Sequence, residues 1–143
     1  MTTNDNTPIM IAPNAAWQMM HDDSAVLLVD VRSDMEYLMI GHPAGALNVA
    51  WIDHPEWTIN PKFVPAVRKL MLGRVSGHAQ NSVSLILMCR SGNRSVDAAN
   101  ALIAEGVENV HVVEGGFEGP LDEDRHRNTV AGWRHEGLPW EQC

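Results

Sequence analysis

Short apolar runs alternate with helix-like stretches along this chain, which predicts an α/β fold on a central, mainly parallel five-stranded sheet with helices on both faces. Two runs carry the expectation. Val26-Leu27-Leu28-Val29-Asp30-Val31 and Leu85-Ile86-Leu87-Met88 are nearly unbroken, as strands buried on both faces should be. A third observation separates them from an all-β pattern: after the second run, Val96, Ala99, Leu102 and Ile103 recur at the spacing of one helix face.

Taken in order, residues 1 to 8 are polar and predict a flexible terminus, so a single domain is expected over 9–143. Ile9 to Ile11 suits a short first strand. Pro13 is placed for the first turn of a helix, with Trp17 and Met20 on its buried stripe. The Val26–Val31 strand follows. Ser33-Asp34-Met35-Glu36 then matches a capping box, which starts a helix that Gly41-His42-Pro43 stops. Ala46 to Val49 reads as another short strand. The loop from Trp51 to Trp57 is aromatic enough to wall a pocket, although burial alone explains these rings equally well. Asn60-Pro61 can open a helix with Phe63, Val67, Leu70 and Met71 on its stripe and Gly73 at its end, but Pro65 argues for a later start. Ser76 to Ser82 is a polar linker. After it come the strand Ser84 to Met88, a loop opening on Cys89, a helix ended by Gly106, and the strand Val110 to Val113.

At 143 residues with 45% apolar content, the chain is the size of one ordinary domain. No run approaches the ~20 apolar residues of a membrane span, and the opening residues lack the basic start and apolar segment of a secretory signal, so a cytoplasmic protein is expected. A net charge of −8 argues against nucleic acid or an anionic membrane as partner. Only two cysteines occur, Cys89 and the terminal Cys143, which leaves neither a disulfide framework nor a paired-cysteine zinc site. No metal ligand set is expected.

Chemistry concentrates in Cys89-Arg90-Ser91-Gly92-Asn93-Arg94-Ser95. The loop stands at the carboxyl end of a predicted parallel strand, where α/β sheets bind ligands. Its amides from Arg90 to Ser95 can curl into a nest of donors, and the following helix adds the positive end of its dipole. With Arg90 and Arg94 flanking it, Cys89 is expected to be a reactive thiolate near neutral pH. Ser95 is also placed to cap the helix. Asp30 and Arg32 are expected to pair with neighbouring loops and brace the floor of the site. His42 reads as a turn residue.

These motifs resemble the rhodanese, or sulfurtransferase, family over about Ile11 to Trp140. The cysteine loop is similar to the active-site loop of single-domain rhodaneses. Asp30-Val31-Arg32, Glu36-Tyr37 and Gly41 to Asn48 resemble the family's first signature, and Glu114-Gly115-Gly116 with Gly137-Leu138-Pro139-Trp140 its last. The resemblance implies a rhodanese-like fold and a persulfide mechanism without metal or organic cofactor. Cys89 would take the outer sulfur of a small anionic donor such as thiosulfate. It would pass that sulfur to a thiol, to cyanide or to a sulfur-carrier protein. Arg90, Ser91, Gly92, Asn93, Arg94 and Ser95 would bind the substrate.

The chain departs from the family pattern between Gly116 and Trp133, where Phe117 to Thr129 is acidic and then basic. Arg125, His126 or Arg127 is expected either to reach the pocket mouth or to belong to a solvated excursion. Two other functions compete: a persulfide carrier in a relay, and a cysteine phosphatase or arsenate reductase on the same scaffold. Spacing weighs against the last. Cysteine phosphatases place one residue more between cysteine and arginine than the four that separate Cys89 from Arg94, and the smaller loop suits a single sulfur atom.

Overall fold

A computed structural model of the protein describes residues 7–53, 55–74 and 83–142. Nine strands and three helices occur among them, in the order β1 (Ile9–Ile11), α1 (Pro13–Asp22), β2 (Leu27–Asp30), β3 (His42–Pro43), β4 (Leu47–Asn48), β5 (Ile52–Asp53), β6 (Thr58–Ile59), α2 (Phe63–Arg74), β7 (Leu85–Met88), α3 (Asn93–Ala104), β8 (Val110–Val113) and β9 (Trp140–Glu141). Five strands form one sheet in the order β1-β8-β7-β2-β4, and all of its pairings are parallel. This is the predicted fold class. The central strand β7 and its neighbour β2 are the two apolar runs, because a strand covered on both faces leaves no position for a solvated side chain.

Side chains that alternate along these strands build two cores. Leu27, Val29, Leu85, Leu87 and Val112 face α2 and α3, packing with Phe63, Val67, Met71, Ala98 and Leu102. Leu28, Ile86, Met88 and Val113 face the other way, against Ala16 of α1 and the buried rings of Phe117 and Trp133. Cys89 belongs to the first core, at the carboxyl edge of β7. The working loop therefore leaves the sheet at its centre, where both neighbouring strands fix its origin.

Several local expectations are revised. Ser33 and Glu36 do form the reciprocal cap, but the segment closes as a five-residue π-helical turn, Glu36–Ile40. Gly41, at φ 111°, ends it, since a Cβ there would meet the Trp140 ring at 2.7 Å. The Trp51–Trp57 loop contains β5, which pairs antiparallel with β6 just after it. Trp51 is buried edge-on against Phe63, and it lines a groove of about 490 Å³ with Val64, Arg68 and Ala101, outside the 89–95 loop. Trp57 is exposed. Helix α2 begins at Phe63, which puts Pro65 in its first turn, where no intrahelical N–H bond is lost. The linker expected at Ser76–Ser82, the terminal Cys143 and residues 1–6 of the terminus lie outside the described residues. No helix among the described residues is long and apolar enough to cross a membrane.

Candidate active site

Strand β7 ends at Met88, and the chain turns at once so that α3 can start at Asn93. That turn is sharp. Gly92 supplies it with φ 124°, a backbone angle that side chains disfavour, and stands as the residue capping α3. Ser95 is thus one turn inside the helix and fully buried, not its cap.

The turn encloses Cys89, a residue only 1% exposed. The amide of Gly92 donates to Sγ at 3.0 Å and the amide of Ser95 at 3.4 Å. Both belong to the start of α3, whose unpaired N–H groups and dipole favour negative charge. The predicted nest is therefore built from these two amides. Arg90 is exposed at the mouth, Ser91 is half-buried and Asn93 is exposed.

A second wall comes from the chain after β8. Phe117 N–H donates to the Cys89 carbonyl at 2.8 Å, while Glu118 and Gly119 amides donate to the Arg90 carbonyl at 2.9 and 3.2 Å. Gly116 makes this approach possible. A Cβ on it would collide with the Cys89 carbonyl and lie 2.7 Å from the Arg90 carbonyl carbon. The segment 117–129 thus reaches the site through its backbone. Its charged side chains do other things: Arg127 donates to the Gly119 carbonyl at 2.7 Å, Arg125 and His126 are exposed, and Asp122 gathers the amides of Asp124 and His126 with the Thr129 hydroxyl into a compact turn. The hydrogen bonds of Asp122 hold its carboxyl below the usual range.

Two charge pairs organise the surroundings. Asp30 and Arg32, both fully buried, meet at 2.6 Å, and Arg32 also donates to the Gly41 carbonyl while its guanidinium lies 4.6 Å from the centre of the Phe117 ring. They tie the end of β2 to the Gly41 turn and to Phe117. His42 is held by the Tyr37 carbonyl at 2.7 Å and stacks on the Tyr37 ring.

The other pair was not legible beforehand. Arg94, on the first turn of α3, forks both oxygens of Glu36 at 2.8 and 3.0 Å. Burial of Glu36 opposes ionisation, yet the Arg94 hydrogen bonds and charge, with the Ser33 donors, bring its pKa down to about 2. The same contact raises that of Arg94. In the sequence Glu36 is marked only as a capping residue. Nothing local announces that one carboxylate serves both Ser33 and an arginine 58 positions away.

The site thus directs backbone donors at one buried sulfur. Comparison with known proteins agrees with that architecture. Residues 12–122 match the rhodanese-like domain. The chain is 29% identical over 131 residues to an uncharacterised protein of Rickettsia conorii, spanning 92% of this chain and 95% of that one. It is 30% identical over 113 residues to the chloroplastic thiosulfate sulfurtransferase 16 of Arabidopsis thaliana, covering 78% and 76%. Among solved structures, Rv0390 from M. tuberculosis superposes with a TM-score of 0.76 at 33% identity, covering 96% and 100%. With the parallel sheet, the cysteine at the end of its central strand and a match across most of its length, the chain belongs to the rhodanese-like domain family.

Proposed function

We propose that this protein is a sulfurtransferase, moving a sulfane sulfur from thiosulfate or a persulfide to a thiol or cyanide acceptor through a persulfide on Cys89. One observation carries the reading: the Cys89 sulfur is enclosed at the start of α3 with the Gly92 and Ser95 amides directed at it. Fixed N–H donors in a water-poor site stabilise a sulfur anion without reorganising, which is what both a thiolate nucleophile and a persulfide need.

With thiosulfate, the Cys89 thiolate attacks the outer sulfur, the S–S bond breaks with its electron pair going to sulfite, and the sulfane sulfur stays on Cys89 as an anion. An acceptor thiolate or cyanide then attacks that outer sulfur and releases the Cys89 thiolate. Charge and electrons balance with no metal or organic cofactor. In this reading exposed Arg90, next to Cys89 in the loop, meets the anionic end of the donor. The relative named as a thiosulfate sulfurtransferase supports the assignment.

Intact-mass measurement after treatment with thiosulfate, and separately with a small hydropersulfide, tests it. The native chain gains one reductant-labile sulfur and Cys89→Ser gains none. Absence of that sulfur with both donors overturns the proposal.

A further inference from the structure

Two arginines follow Cys89 in its loop, but the structure leaves them in different electrostatic states. Arg94 is matched by a forked carboxylate, with both oxygens of Glu36 at 2.8 and 3.0 Å, and only about a quarter of its side chain is exposed. Glu36 is in turn fixed by Ser33, whose amide and hydroxyl donate to it at 3.2 and 3.1 Å, so the pair is anchored at both ends. Arg32 is likewise matched by Asp30. Exposed Arg90 is left as the loop's outward cation.

We infer that Glu36 is a specificity-determining residue: by occupying Arg94 it sets the site for singly charged organic persulfides over doubly charged donors such as thiosulfate. The inference rests on the sulfurtransferase reading and names the donor class for that same site. A dianion close to Cys89 needs two compensating charges. With Arg94 matched, the loop offers Arg90 and the dipole of α3, about half an elementary charge. A deprotonated hydropersulfide asks for one. The turn bearing Glu36 also exposes Met35, Leu38 and Met39, so the element that holds Arg94 presents apolar surface to solvent. In the step itself, the Cys89 thiolate attacks the outer sulfur of the hydropersulfide. The S–S bond breaks, the organic thiolate leaves with the electron pair, the transferred sulfur stays on Cys89 as an anion, and no outside oxidant or reductant is consumed.

The test measures single-turnover loading of Cys89 by thiosulfate and by a small alkyl hydropersulfide, at low salt, in native protein, Glu36→Gln, Glu36→Asp and Arg94→Gln. Glu36→Gln releases the Arg94 charge, so the ratio of thiosulfate to hydropersulfide loading rises, by about fivefold for one added charge near the site. Glu36→Asp keeps the native ratio. Arg94→Gln leaves Glu36 unmatched and moves the ratio the opposite way, which supplies an independent reading should Glu36→Gln not fold. A structural brace alone would slow both donors together in each variant. Equal factors for the two donors, or a ratio that moves the same way in Glu36→Gln and Arg94→Gln, overturns the inference while leaving the sulfurtransferase reading intact. Loading by neither donor overturns both.

Discussion

At the scale of single residues, the cysteine depends on a glycine far away in sequence. Gly116 sits where its own backbone touches the Cys89–Arg90 peptide, and at φ 62° it occupies a region that disfavours side chains. Gly116→Ala must push the cysteine loop or the Phe117 segment aside. The expected cost is about 1–3 kcal/mol of stability, the usual range for forcing a methyl into a packed site. Loss of persulfide loading should be larger than that stability loss accounts for, because the Cys89 carbonyl and the Phe117 amide are displaced together. Denaturant unfolding alongside intact-mass loading measures both. Loading unchanged in a folded Gly116→Ala protein would show that the second wall is dispensable.

Among elements, the π-helical turn joins β2 to α3. Its Glu36 holds Ser33 on one side and Arg94 on the other, so the start of α3 is pinned to the turn that follows β2. The consequence appears in pH. Glu36 ionises at about 2 in the folded chain against 4.5 ordinarily, so a lowered folded value makes its contribution complete above about 4.5 and lost as pH falls towards 2. Because the pair is partly solvated, that contribution should be about 1–2 kcal/mol, less than the shift alone implies. Urea unfolding of native protein and Glu36→Gln should therefore differ at pH 7 and converge near pH 2. A gap that stays constant with pH would mean that the carboxylate charge is not what holds the turn.

For the whole molecule, the segment after β8 does more than close the chain. Trp133 is fully buried beneath it, donating from Nε1 to the Pro139 carbonyl and from its amide to the Gly116 carbonyl at 2.8 and 2.9 Å, with its ring edge-on to Trp17 of α1. One residue thus joins α1, the Gly116 wall and the segment leading into β9. Trp133→Ala should cost about 3–5 kcal/mol and lower Tm, with loading of Cys89 failing at temperatures where the sheet persists by circular dichroism. Activity and sheet signal melting together would instead make the wall and the sheet one cooperative unit. The sequence by itself determined the α/β class, the central strands and the cysteine loop. In each, the signal is local: unbroken apolar runs, helical spacing in α3, and a cysteine directly after a strand. It also marked Asp30 and Arg32, because charge inside an apolar run demands a partner. Only the tertiary structure decided that Arg94 is spent on Glu36, that Gly116 walls the cysteine, and that the 117–129 segment contributes backbone to the site. Each of those facts is a meeting of residues distant in the chain, fixed by how the sheet brings its carboxyl-edge loops together, and neither periodicity nor spacing records which loops will touch.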